Sequence, residues 1–339
     1  MITTSSRRGL SALALVAALA GCSAQSSSGV VPASGVQPTS ERPASVQPEK
    51  RSHSIRIFTA NRDGASGEGA VLGFSVNAEG NAAPAVDIAG SNTELQDADS
   101  LAIDGEGHIY AANDGGTQVE VFAKDANGNV KPARTVGGSN SQLGPTEGLL
   151  VDPSYNLWVT DYENDAVTEY APDAKGNVVP TDVISGSKTQ LSTPTGMALS
   201  SSGDLYVANV HDGSIVAFAK GASGNATPVV TISGSKTGLS EPFALAFDST
   251  GRLLVADEAV GVLVFASGAN GNVAPVATIT GFDEAAGVAA DSENHIWVAD
   301  FGGNTIQEFK SNANGAANPF RVIVGPDTKL AAPCYLAFN

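Results

Sequence analysis

Gly196-Met197-Ala198-Leu199-Ser200, Leu205-Tyr206-Val207-Ala208-Asn209, Ser214-Ile215-Val216-Ala217-Phe218 and Val229-Val230-Thr231-Ile232 are four short apolar runs, and the segments between them decide the fold. Ser201-Ser202-Gly203-Asp204 joins the first pair, Val210 to Gly213 the second, and Ala219 to Pro228 the third. β-Branched and aromatic runs broken by turn residues at this spacing predict four antiparallel strands. The Gly224-Asn225 pair supplies residues that accept a positive φ. Pro228, at the start of the fourth strand, suits an outer edge where no ladder donor is missed. No stretch sustains a helical period.

The unit recurs. The run ending at Asn209 has counterparts in Ile57-Phe58-Thr59-Ala60-Asn61, Ile109-Tyr110-Ala111-Ala112-Asn113, Leu157-Trp158-Val159-Thr160-Asp161, Leu253-Leu254-Val255-Ala256-Asp257 and Ile296-Trp297-Val298-Ala299-Asp300, at spacings of 52, 48, 48, 48 and 43. A second anchor keeps step: Gly80-Asn81, Gly128-Asn129, Gly176-Asn177, Gly224-Asn225 and Gly271-Asn272, each followed by a proline, with Gly315 and Pro319 as a degenerate sixth copy. Four strands repeated at this period are propeller blades. A β-solenoid is the structural rival, and the chain ends decide between them. The first unit lacks its innermost strand, and Tyr335-Leu336-Ala337-Phe338-Asn339 matches that strand as it stands in Ala244-Leu245-Ala246-Phe247-Asp248. The expected fold is all-β: a six-bladed β-propeller of four-stranded antiparallel blades, closed by the C-terminal strand joining blade one.

The unit Gly-x-Ala-x-Asp, then Gly-x-Leu-Tyr-Val-Ala-Asn, then x-Val-x-Val-Phe resembles NHL-repeat propellers and the related YVTN-type repeats, from Ser54 to Asn339. Members of these groups include extracellular sensors, scaffolds for protein or nucleic-acid partners, and lyases or lactonases. The resemblance therefore implies propeller type far more narrowly than it implies activity.

The N-terminus sets the expected compartment. Arg7 and Arg8 precede an apolar stretch from Leu10 to Ala20, and its 11 residues fall well short of the roughly 20 a bilayer requires. Residues 1–21 read as a signal peptide. Leu19-Ala20-Gly21-Cys22 resembles the bacterial lipobox, which implies lipidation of Cys22 and an extracytoplasmic protein anchored through that lipid, at the outer membrane in a diderm cell. Residues 22–52, rich in Ser, Pro and Gln, read as a disordered tether, and 53–339 as the propeller. With Cys22 acylated, Cys334 is alone and no intramolecular disulfide is possible.

Removal of residues 1–21 leaves 16 basic against 35 acidic side chains, a formal charge of −19. Nucleic-acid binding needs a basic footprint and is excluded as an expectation. The expected partners are the membrane, through Cys22, and a protein or small envelope ligand, with the chain itself a monomer.

In a ring of this kind the innermost strand begins, and the second strand ends, on one face. Asp99, Glu147, Thr195, Phe243, Ala286 and Cys334 precede the innermost strands. Asn61, Asn113, Asp161, Asn209, Asp257 and Asp300 end the second strands, followed in several blades by Asp63, Asp114, His211, Asp212 or Glu258. One mouth of the channel is thus expected to be acidic, with oxygen ligands that suit Ca²⁺ or Mg²⁺ or a cationic ligand. Asp99, Glu147, Asn209 and Asp257 are the metal candidates, and Asp114, Asp161, His211 and Asp300 the other ligand candidates at the mouth. The Asn/Asp that recurs in every blade is better explained as a turn residue. Asp99 and Glu147 are not repeated, which singles them out.

Gluconolactonase-type propellers hold a metal with Glu, Asn and Asp, for which Glu147, Asn209 and Asp257 would be a partial analogue, but the motifs flanking those ligands are missing here. Streptogramin-lyase-type propellers use histidine at the channel, and only His211 is placed for that; His108 and His295 read as turn residues on the opposite face, and His53 ends the tether. No phosphate loop, paired-cysteine metal site or nucleophile elbow is present. The sequence thus favours a non-catalytic surface binding or scaffold module over a metal-dependent, lactonase-like hydrolase, and it identifies no cofactor.

Overall fold

A computed structural model describes residues 55–62 and 69–339. Cys22, His53, Asp63 and the expected signal peptide and tether lie outside the described residues.

Among these residues there are six sheets of four antiparallel strands. The fourth blade consists of Pro194–Leu199, Leu205–Asn209, Ser214–Phe218 and Val230–Ile232. These strands match the apolar runs of the sequence to within two residues at each end. Innermost strands of consecutive blades pack side by side around the whole ring. The ring closes as the repeat required: Pro333–Phe338 pairs antiparallel with Arg56–Asn61, with Ile57 opposite Phe338 and Thr59 opposite Leu336. The backbone N–H of Arg56 also donates to Asn339 Oδ1 at 2.7 Å.

Burial follows strand position. The second strand of blade four is buried at every residue, because it is covered by the blade on either side. Each third strand ends near one fully buried aromatic ring: Phe74, Phe122, Tyr170, Phe218, Phe265 and Phe309. Each outermost strand contributes one buried β-branched residue: Ile88, Val136, Ile184, Ile232, Ile279 and Ile323. Burying a side chain of this size contributes about 1.5–3 kcal/mol, so these twelve positions carry much of the inter-blade stability.

The Gly-Asn pair does more than turn the chain. Gly176, at φ 68°, forms a parallel bridge to Val136 in the outermost strand of the preceding blade. Asn177 Oδ1 then accepts the backbone N–H of Asn140 at 2.6 Å. Asn81, Asn129, Asn225 and Asn272 repeat this bond to Asp327, Asn92, Lys188 and Lys236, at 2.7 Å each. At the junction of blades five and six, Ala316 replaces the asparagine, and the glycine bridge, Ile279 to Gly315, remains with Asn314 Oδ1 accepting Thr278 N–H at 3.0 Å. The pair is a clasp between neighbouring blades.

Candidate functional site

Each innermost strand carries a register shift near its start, where a bulge re-aims the side chain. Asp99 and Glu147 stand at these shifts in blades two and three. At Gly148 the neighbouring strand leaves no room for a side chain: a Cβ there would meet the carbonyl oxygen of Thr195 at 2.2 Å.

Asp99, Asp114 and Glu147 converge, with one carboxylate oxygen of each within 4.8 Å of the others. Arg62 completes the group from blade one. Its guanidinium pairs with Asp114 and lies 3.9 Å from Asp99 Oδ1, beyond hydrogen-bond reach. Asp99 is 1% exposed, and among the described residues no N–H or hydroxyl donates a hydrogen bond to either of its oxygens. Burial pushes the Glu147 carboxyl well above its usual range, and the negative Asp99 beside it adds to the effect; Arg62 opposes it. Burial and Asp99 both favour the protonated carboxyl of Glu147, which hydrogen-bonds Asp99.

The surrounding groups feel the same field. Burial raises the Cys334 thiol, as does the charge of Asp99. Burial raises the Tyr335 hydroxyl, with the charges of Glu147 and Asp99 behind it, and among the described residues that hydroxyl has no hydrogen-bond partner. Tyr162 is raised by burial and then by Glu147. The Phe243 and Tyr335 rings pack 5.2 Å apart. The result is a largely buried acidic cluster drawn from blades one to three, with the Tyr335 and Tyr162 hydroxyls close enough to feel its charge.

The other candidates are placed differently. Asn209 Oδ1 accepts the N–H of Ser192, and its amide donates to Gln190 O and Ser214 Oγ. Asp257 accepts from the N–H groups of Ser240, Glu241 and Ala259. Asp161 holds Gly144 and Asn164, and Asp300 holds Asp283, Glu284 and Gly303. These side chains latch the loop before the innermost strand of their own blade, and several also cap the turn that follows them. They do not join the Asp99 group. His211 is exposed in its loop. Arg62 had no signal in the sequence: it occupies a position that is Asp114, Tyr162, Val210, Glu258 or Phe301 in the other blades. Of the turn histidines, His108 pairs with Asp104 at 2.9 Å as a turn residue does, and His295 has a further neighbour, described below.

The sequence model described as NHL repeat matches residues 282–309, which span most of blade six. No curated protein matches the chain. Similar solved structures include one from a nidogen/laminin complex, at 14% identity and a TM-score of 0.59, covering 84% of this chain and 98% of that one. A protein of unknown function from Bacteroides caccae is 11% identical with a TM-score of 0.61, covering 84% and 98%. The WD40 β-propeller domain of Doa1 is 12% identical with a TM-score of 0.54, covering 82% and 80%. At these identities the likeness is one of fold.

Proposed function

We propose that this six-bladed propeller, which carries an NHL repeat in its sixth blade, is a surface binding module tethered through lipid on Cys22, and that its acidic mouth receives a positively charged group. The single observation behind the ligand class is Asp99: a carboxylate 1% exposed that accepts from no N–H or hydroxyl among the described residues, beside two more carboxylates. Burying such a charge costs several kcal/mol, and a cation or N–H donor in direct contact with it offsets that cost more fully than Arg62 does at 3.9 Å. Arg62 already stands on one side of the cluster as an internal cation, pairing with Asp114 and reaching Asp99 Oδ1 only at 3.9 Å. The motif at Leu19-Ala20-Gly21-Cys22 supports the anchor. Loss of membrane fractionation in Cys22→Ser is the expected result, and an unchanged distribution counts against it.

The cation has two chemical sources, a divalent metal such as Ca²⁺ or Mg²⁺ and an organic ammonium or guanidinium. Thermal unfolding with Ca²⁺, Mg²⁺, Zn²⁺, a chelator, spermidine and arginine amide separates them. A ligand at 100 times its Kd adds about 2.7 kcal/mol. Stabilisation by a member of one class, abolished in Asp99→Asn, is the expected outcome; no response in any arm, or a response intact in Asp99→Asn, overturns the reading. The second reading, a lactonase-like hydrolase, draws on the convergence of the three carboxylate oxygens, which are hard donors suited to Ca²⁺ or Mg²⁺. It requires lactone hydrolysis that depends on the added metal and disappears in Asp99→Asn.

A further inference from the structure

Blade six carries a second cluster, built from three strands. Asp291 opens the turn after the innermost strand, His295 precedes the second strand, and Glu308 lies in the third. His295 Nδ1 is 3.2 Å from Asp291 Oδ2 and 3.0 Å from Glu308 Oε1. The three ligand atoms all lie within 4.8 Å of one another. They face a cleft of about 440 Å³ at the seam of blades six and one, bordered by Ile55, Asn77, Trp297, Phe320 and Phe338.

The turn itself explains only part of this. Asp291 Oδ1 accepts the N–H groups of Glu293 and His295, both at 2.9 Å, which is what the first residue of this turn does in other blades. Asp104 does the same in blade two, with His108 beside it, but Val121 stands where blade six has Glu308. Blade three has Asp152 and Glu169 with Asn156 in the histidine position. Among the described residues, blade six alone brings the imidazole and both carboxylates together. Glu308 is 2% exposed, so its charge is there at a desolvation cost that the turn does not require.

We infer that Asp291, His295 and Glu308 form a site for a borderline divalent transition-metal ion, Zn²⁺ or a cation of like chemistry, with a fourth position open to the cleft. One ring N–H has two carboxylate oxygens to serve and can point at only one, whereas an ion between them serves all three groups. Ligand atoms on a tetrahedral ion with bonds of about 2.0–2.1 Å stand roughly 3.3 Å apart, close to the two separations around Nδ1. The imidazole nitrogen selects against Ca²⁺ and Mg²⁺, which take oxygen. The outer shell that metal ligands need is in place as well. Trp297 Nε1 donates to Asp291 Oδ2 at 3.1 Å, Arg321 pairs with Glu308 Oε2, and Phe320 packs on the His295 ring at 4.9 Å. Arg321 balances one carboxylate charge, which leaves the protein groups at the site with a net charge of about −1 when the imidazole is neutral.

The test is titration of chelator-treated protein with Co²⁺, read by the visible d–d bands of a four-coordinate ion. The expected result is one such Co²⁺ per chain, bound at least about tenfold more weakly in His295→Gln and in Glu308→Gln. Binding unchanged in His108→Gln and in Asp99→Asn is expected too, which separates this site from the channel mouth. Both blade-six substitutions keep a polar side chain of similar size, and thermal unfolding without metal verifies that each variant is folded. Should one fail to fold, the other carries the test. Absence of the bands in the wild-type protein overturns the assignment, as do bands that persist in the folded variants or vanish in Asp99→Asn.

Discussion

Glu147 is the residue on which the channel mouth turns. Its carboxyl is raised by burial and by Asp99, so above its ordinary value of 4.5 the folded chain favours the neutral form more than the unfolded chain does. A raised carboxyl contributes stability fully below the unfolded value and loses it as the pH climbs through the folded value. Glu147→Gln, which never ionises, should therefore match the wild type near pH 4 and exceed it in Tm by a few degrees at pH 8. Thermal scans across that range check it; a difference that is flat or reversed contradicts the assignment. Glu120, buried in blade two and pushed up to about 7 chiefly by burial, titrates in the same interval, but it does so equally in both proteins and cancels. The sequence pointed to Asp99 and Glu147 because they break the repeat. It could not show that Arg62 joins them, since a single arginine after Asn61 looks like any surface residue until the ring brings blade one beside blade two.

At the level of elements, the clasp between blades is a pair of mutually dependent residues. Gly186 has φ 113°, and a Cβ there would meet the Asn225 amide carbon at 2.8 Å, while Asn225 Oδ1 accepts Lys188 N–H at 2.7 Å. Asn225→Ala should cost about 1 kcal/mol, the net value of one such hydrogen bond. Gly186→Ala should cost more, because it adds a strained φ and a clash. The double variant should cost less than the sum of the two, since removing the asparagine side chain relieves the clash. Denaturant unfolding of the cycle measures the coupling, and strict additivity would contradict the clasp. The Gly-Asn pair was legible in the sequence as a repeating turn, and its positive φ follows from glycine chemistry. Its inter-blade role was not legible, because the partner lies some 37 residues away in Lys188. A third repeat, Gly-x-x-[Ser/Thr]-x-Leu at Gly90, Gly138, Gly186, Gly234 and Gly325, forms the other half of the clasp. Its hydroxyl, as at Thr189, accepts from Leu191 N–H and donates to Gly186 O, shaping the loop that the asparagine grips.

For the whole molecule, ring closure is what creates the mouth. Blade one receives its innermost strand from the chain end, and that closure sets Arg62, Cys334 and Tyr335 beside Asp99 of blade two and Glu147 of blade three. Fold class, blade number and closure were all readable from the repeat, because each rests on local pattern. The pocket was readable only as an acidic rim: which acids meet and which are spent on latches depends on side-chain direction at the bulges. The central claim is that a cation displaces the proton that Glu147 holds against Asp99. Calorimetric titration with Ca²⁺ and with spermidine, near pH 7 and in two buffers of different ionisation enthalpy, measures that proton directly. The account predicts net proton release on cation binding, lost in Glu147→Gln; binding heats that do not depend on the buffer, or no binding by either cation, would contradict it.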